Sequence, residues 1–317
     1  MAIEAPARVR LGRTGLEISR VGFGAWAIGG SGWWHAWGSQ DDDESIATIH
    51  RAAELGINWV DTAPIYGLGH SEEVVGRALE GLDPRPYVFT KAGLQDGGDN
   101  SVRNVLKRDS ILREVELSLE RLRVDVIDVY QVHWPIPDED VEEVWSTFAE
   151  IKERGLVSHI GVSNFTPEQM QRAEAIAPVE TLQPPYSLLT RDVEPDVLPY
   201  AQEHDVGVVI YSPQESGLLS GAMSAERIAA LPDDDWRKHD ERFNEPQLSR
   251  HLALVERLRE VGERHGTTPG AIAIAWTLSH PAVHGAVVGL RRPHQVEELA
   301  LAGNVELSDE DLALVNS

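Results

Sequence analysis

Four side chains able to move or steer a proton stand in the first half of the chain: Asp61, Tyr66, Lys91 and His133. A free phenol titrates at about pH 10, so a tyrosine trades a proton with a substrate oxygen at neutral pH only where its surroundings help. An ammonium beside it helps by stabilising the phenolate, and Lys91 is therefore expected to lower the pKa of Tyr66. Asp61 would keep Lys91 charged and oriented, and His133 would hydrogen-bond the reacting oxygen and fix its position. The task these groups describe is protonation of a carbonyl oxygen, which leaves a hydride to be supplied by a nicotinamide or flavin.

Groups scattered from position 61 to position 133 meet only if successive segments of the chain end at one place. Short β-rich runs do alternate with amphipathic helical runs along nearly the whole sequence, the pattern of βα units around a parallel sheet. The spacing predicts strands at Val21–Gly24, Asn58–Thr62, Tyr87–Lys91, Val126–His133, His159–Ser163, Thr181–Pro184, Val206–Ser212 and His284–Gly289. Helices are expected after them at Asp43–Leu55, Ser71–Leu79, Asp109–Leu122, Glu139–Arg154, Pro167–Ala177, Pro195–Glu203, Leu248–His265 and Pro293–Ala302. Eight such pairs with no break in composition describe one α/β domain over residues 1–317, a closed (β/α)8 TIM barrel. Active sites in that architecture lie at the C-terminal ends of the strands, and there Asp61, Lys91 and His133 fall on three successive strands, with Tyr66 in the loop after Asp61.

Three segments stand outside the repeat. Arg8–Ile18, with Gly12 and Gly15 between short apolar runs, reads as a hairpin that could cover the bottom of the barrel. Pro269–Ser279 reads as an extra helix before the last strand. The connection Pro213–Gln247 exceeds ordinary loop length, which makes it a candidate lid or binding loop.

A hydride carrier needs a site of its own. Gly22-Phe23-Gly24-Ala25-Trp26-Ala27 has the G-x-G-x-x-A form, but a dinucleotide fingerprint must open a helix, and a Gly- and Trp-rich loop follows instead. The loops after the seventh and eighth strands are better placed, because barrels commonly bind phosphate there. Ser216-Gly217-Leu218-Leu219-Ser220-Gly221 offers backbone N–H groups and hydroxyls for a pyrophosphate, and Arg291 and Arg292, just before Pro293, could clamp a monophosphate at a helix start. Trp26, Trp33, Trp34 and Trp134, with Trp37 beside them, could line an aromatic substrate wall.

Composition narrows the classes. The net charge of −24 disfavours nucleic acid as a partner. With no cysteine there is no disulfide and no thiolate metal site, and with HExxH absent and the histidines scattered no metal centre is expected. Neither an N-terminal apolar run nor a stretch approaching 18 apolar residues occurs, so no membrane insertion is expected and the cytoplasm is the expected location.

Four segments together resemble the aldo-keto reductases, in the bacterial branch that is similar to the potassium-channel β subunits. They are Gly56 to Ala63 with Tyr66-Gly67, Phe89-Thr90-Lys91, Asp128 to Pro135, and Ile160 to Phe165. The resemblance covers essentially the whole chain and implies that Asp61, Tyr66, Lys91 and His133 are the catalytic tetrad of an NADPH-dependent reductase of aldehydes and ketones, reversible as an alcohol dehydrogenase. It implies that Ser163, Asn164 and Gln183 hold the carboxamide and that Tyr211 stacks under the nicotinamide. Ser216, Gly217, Leu218, Ser220 and Gly221 match the pyrophosphate belt. Arg291, Gln295 and Glu298 match the adenosine segment, with Arg291 meeting the 2′-phosphate of NADPH. An alternative from the same resemblance is a redox-sensing partner subunit that binds NADPH without significant turnover.

The chain also departs from the family pattern. Leu299 stands where an Asn usually meets the adenine, and Gln214 and Glu215 replace a Leu and a neutral or basic residue. A carboxylate near pyrophosphate would be unfavourable unless it points outward, where it could instead contact a polar substrate. With Ser317 following soon after the helix that begins Ser308-Asp309-Glu310, the long C-terminal loop that covers the pocket in some relatives is not expected, and an open or differently covered pocket is.

Overall fold

The computed structural model describes residues 5–33, 35–98, 101–231 and 235–317. Among the described residues there are twelve strands: β1 (Arg8–Arg10), β2 (Glu17–Ser19), β3 (Val21–Gly24), β4 (Trp59–Asp61), β5 (Tyr87–Ala92), β6 (Leu94–Asp96), β7 (Val102–Asn104), β8 (Ile127–Val132), β9 (Val157–Ser163), β10 (Thr181–Gln183), β11 (Gly207–Ile210) and β12 (Gly285–Gly289). Eight of them, in the order β3-β4-β5-β8-β9-β10-β11-β12 and back to β3, close a barrel in which every neighbouring pair is parallel. The helices around it are α1 (Asp42–Glu54), α2 (His70–Leu79), α3 (Arg108–Leu122), α4 (Val141–Glu153), α5 (Pro167–Glu174), α6 (Val197–Glu203), α7 (Ala225–Ala229), α8 (Gln247–His265), α9 (Pro269–Leu278), α10 (Pro293–Leu299) and α11 (Asp309–Val315). The (β/α)8 architecture read from the sequence is therefore the architecture observed.

Local chemistry sets many of the boundaries. Asp41 caps α1 through the backbone N–H of Glu44 at 2.9 Å, and Thr166 with Gln169 forms a capping box ahead of Pro167 on α5. Thr268 caps α9 by accepting from the backbone N–H of Ala271 at 3.2 Å, and Pro269 occupies the first helical turn. The buried α9 is apolar all round, as a helix enclosed by its neighbours should be.

The bottom of the barrel is plugged. β1 and β2 pair antiparallel, and Leu11 and Ile18 join Trp59, Phe89, Val129 and Val209 in one buried cluster. The Trp59 indole donates to the carbonyl of Ser19 at 2.8 Å, and Arg13 donates its backbone N–H to Asp205 at 3.0 Å. Gly22 has to be glycine here, since a Cβ on it would lie 2.2 Å from the Trp59 ring. After Gly24 the chain makes only a short turn at Trp26–Ile28 before α1, so no helix N-terminus follows the G-x-G-x-x-A run.

Two segments hold structure that the sequence reading did not describe. The connection after β11 is not a structureless loop: it folds into short turns at Glu215–Ser220, Trp236–Lys238 and Glu241–Phe243 around α7. Leu218, Met223, Ile228, Phe243 and Leu248 form a small core of its own there, separate from the main one. The second is the hairpin β6–β7, which follows the strand bearing Lys91. No described helix is long and apolar enough to cross a membrane.

Candidate active site

At the C-terminal mouth the ends of β4, β5 and β8 bring Asp61, Lys91 and His133 together, and the loop after β4 folds Tyr66 over them. The Lys91 ammonium donates to Asp61 Oδ1 at 2.5 Å and to the carbonyl of Thr62 at 3.1 Å. The other Asp61 oxygen accepts from the Gln183 amide at 2.8 Å. Both members of the ion pair are buried, so each carboxylate oxygen and the ammonium find a partner where an unpaired charge would be costly. Lys91 Nζ lies 5.4 Å from the centroid of the Tyr66 ring, and the His133 ring meets that ring edge-on at 5.9 Å.

Burial, and then the charge of Asp61, holds the Tyr66 phenol well above its ordinary pKa. The expectation that Lys91 would lower it is corrected: the ammonium sits on Asp61, and that carboxylate with the dry surroundings outweighs it. Burial also lowers Lys91, against the pull of Asp61, and lowers His133 well below the usual histidine range, with the Lys91 charge adding to the effect. At neutral pH the mouth thus presents a phenol O–H and an uncharged imidazole.

A cleft of about 1150 Å³ opens from this point toward the loops after β11 and β12. At one end it is lined by Trp26, Trp33, Trp134 and Ile136; Trp26 lies nearly parallel to the Tyr66 ring at 6.3 Å. Trp37 is also there, edge-on to Trp26 at 5.5 Å. Trp34 lies outside the described residues. Leu94, Val102 and Asn104 of the hairpin add a wall that the sequence reading did not foresee, with Gly97-Gly98 as the one turn signal there.

Along the cleft stand Ser163, Asn164, Gln183, Tyr211, Ser216, Gly217, Ser220, Arg291, Gln295 and Glu298. Asn164, in the left-handed region at φ 64°, accepts from the Tyr211 hydroxyl at 2.9 Å and donates to the His133 carbonyl at 3.0 Å. Ser216 and Gly217 also have positive φ, which turns the backbone sharply at the cleft wall. Leu218 and Gly221, expected to offer backbone N–H groups, are not among the residues that line the cleft. Leu218 is fully buried in the small core of its segment, and Gly221, at φ 83°, packs against Pro269. Glu215 is corrected too: it points neither outward nor at the cleft but is buried, accepting from Ser187 at 2.5 Å, Thr190 at 2.7 Å and Arg242 at 2.7 Å. Leu299 is buried yet borders the cleft. A long cleft with hydroxyls and amides at the tetrad, a tight backbone turn midway and arginines at the far end is a donor set that suits an extended dinucleotide.

The aldo/keto reductase family model matches residues 20–317. The aldo-keto reductase YhdN of Bacillus subtilis (strain 168) is 40% identical over 307 residues, 96% of this chain and 91% of that protein. The NADH-specific methylglyoxal reductase of Escherichia coli (strain K12) is 32% identical over 324 residues, 97% of each chain. Among solved structures, the glycerol dehydrogenase AKR11B4 from Gluconobacter oxydans superposes with a TM-score of 0.87 at 38% identity, covering 100% of this chain and 95% of that one.

Proposed function

The chain belongs to the aldo/keto reductase family, and from that premise we propose that it reduces aldehydes and ketones, and oxidises the corresponding alcohols, with a nicotinamide dinucleotide. The observation that carries the reading is the meeting of Tyr66, kept protonated, with neutral His133 over the Lys91–Asp61 pair at the closed end of the cleft. When bound, the nicotinamide supplies or takes up the hydride.

The protein supplies the rest. The carbonyl oxygen accepts hydrogen bonds from the Tyr66 hydroxyl and from an N–H of His133, which positions it and polarises the carbonyl. As negative charge builds on that oxygen, the phenolic proton moves to it and the phenolate forms beside the Lys91 ammonium. Gln183 and Thr62 keep that ammonium and Asp61 from rotating away. Ser163 and Asn164 are the groups we assign to the carboxamide, Tyr211 to the face of the nicotinamide ring, Ser216, Gly217 and Ser220 to the pyrophosphate, and Gln295 and Glu298 to the adenosine. Whether the 2′-phosphate of NADPH is gripped depends on what Arg291 holds. Trp26, Trp33, Trp134 and Ile136 favour a carbonyl compound with an apolar or aromatic body.

Tyr66→Phe tests the assignment. Turnover with a panel of aldehydes and ketones should fall by about a hundredfold or more, while dinucleotide binding, followed by tryptophan fluorescence, stays near the wild-type value, since the phenol acts in the transition state. Turnover close to wild type in that variant would remove Tyr66 as the acid.

A further inference from the structure

Arg291 was the reason to expect NADPH, and its surroundings argue for a different use. Each of its three guanidinium nitrogens already has an acceptor on the segment that runs from β3 to α1. Nε donates to the Gln40 side-chain oxygen at 2.8 Å, one terminal nitrogen to the carbonyl of Trp37 at 3.0 Å, and the other to the carbonyl of Ser39 at 2.7 Å. Gln40 returns the contact, its amide donating to the Arg291 carbonyl at 3.0 Å, and Gln295 accepts from the Arg291 backbone N–H at 2.9 Å. The half-buried side chain is thus held in a closed ring of neutral acceptors.

The neighbouring Arg237 is matched as well. Arg237 is paired with both oxygens of Asp235, at 3.0 and 2.7 Å, and its guanidinium lies 4.8 Å from the centroid of the Trp37 ring. Arg292 is exposed and faces Glu44 at 3.7 Å. Glu298 borders the same part of the cleft, in a molecule of net charge −24. A phosphate dianion arriving here must take Arg291 from the loop it braces and does so against an acidic background.

We propose that Gln40 is a specificity-determining residue of this chain: by engaging Arg291 it makes the arginine a clamp for residues 37–40, so that NADH and NADPH are bound with little discrimination. The inference rests on the dinucleotide reading of the cleft and adds to it a residue and a consequence. Gln40 is the component of the ring that a mutation can change alone, because the other acceptors are backbone carbonyls. Removing its side chain frees the Nε edge of the guanidinium for a charge-assisted bond to phosphate, the stronger kind. A carboxylate in its place would bind the arginine more firmly and repel the phosphate.

The test is binding, not turnover. The affinities of 5′-AMP and 2′,5′-ADP, and of NADH and NADPH, are measured by calorimetry on the wild-type chain, Gln40→Ala and Gln40→Glu, with thermal unfolding to verify that each is folded. The wild type should favour the 2′-phosphorylated member of each pair by less than about tenfold, Gln40→Ala should raise that ratio by about tenfold, and Gln40→Glu should lower it. Affinities for 5′-AMP and NADH should move little. A larger wild-type preference, or a ratio that Gln40→Ala does not raise, overturns the assignment to Gln40 while leaving the cleft a dinucleotide site. Failure of the wild type to bind any of the four nucleotides overturns the dinucleotide reading itself, and this inference with it.

Discussion

Asp61 organises the mouth by dividing its two oxygens, one to Lys91 and one to Gln183, and that division explains the electrostatics around it. Lys91 is the group whose titration should be visible. Its pKa is lowered by burial from an ordinary value of about 10.5. The ammonium is therefore lost as the pH rises through that lowered value, and with it the charge that favours a phenolate on Tyr66. The kcat/KM for carbonyl reduction should fall on a basic limb placed below the ordinary lysine range. Lys91→Met should abolish that limb along with most of the rate, and an unchanged profile in this variant would free Lys91 of the role. Asp61, Tyr66, Lys91 and His133 were legible because each stands at or just after a strand end, where the fold alone makes them neighbours. The bond from Gln183 to Asp61 was not, since it joins residues 122 positions apart and depends on the curvature that closes the barrel. Leu218 was named for its backbone N–H; that its side chain anchors the small core was not legible, because a glycine-rich run says that the backbone can turn but not where its side chains pack.

Among the elements, the barrel strands were readable because buried parallel strands are nearly continuous apolar runs, and the helices because their caps are written in Asp41, Thr166, Thr268 and Ser308. The hairpin β6–β7 was missed because each strand is only three residues long, too short for alternation to stand out. The contact between β3 and β4 gives a direct test of how the strands pack. Gly22→Ala would drive a methyl group to 2.2 Å from the Trp59 indole, which is itself fully buried against the plug. Urea unfolding should show a loss of about 1–3 kcal/mol or more. Trp59→Leu in the same chain should recover part of that loss, so that the double variant is more stable than the sum of the single changes. Simple additivity would mean that the two residues are not in conflict.

The described residues hold one large core shared by barrel and helices, the plug cluster at the barrel bottom, and a small core beneath the segment after β11. That segment reaches across the mouth: Trp236 meets Trp37 edge-on at 6.4 Å, and Arg237 lies over the same ring. It is held by a few apolar side chains and a handful of pairs such as Arg242 with Glu215 and Asp240, whereas each barrel strand is bonded on both sides. Free energies of opening scale with what must be separated, so they differ across the molecule. Amide hydrogens of Ala225–Ala229 should exchange with deuterium long before those of Ile127–Val132 in the barrel wall. Added dinucleotide should slow the first group and leave the second as it was, because Ala222, Met223 and Arg227 border the cleft proposed for it. Equal protection of both groups without nucleotide would mean one cooperative unit. The unequal outcome would give this protein two separate lifetimes, a short one for the segment that borders its cleft and a long one for the barrel around which that cleft is built.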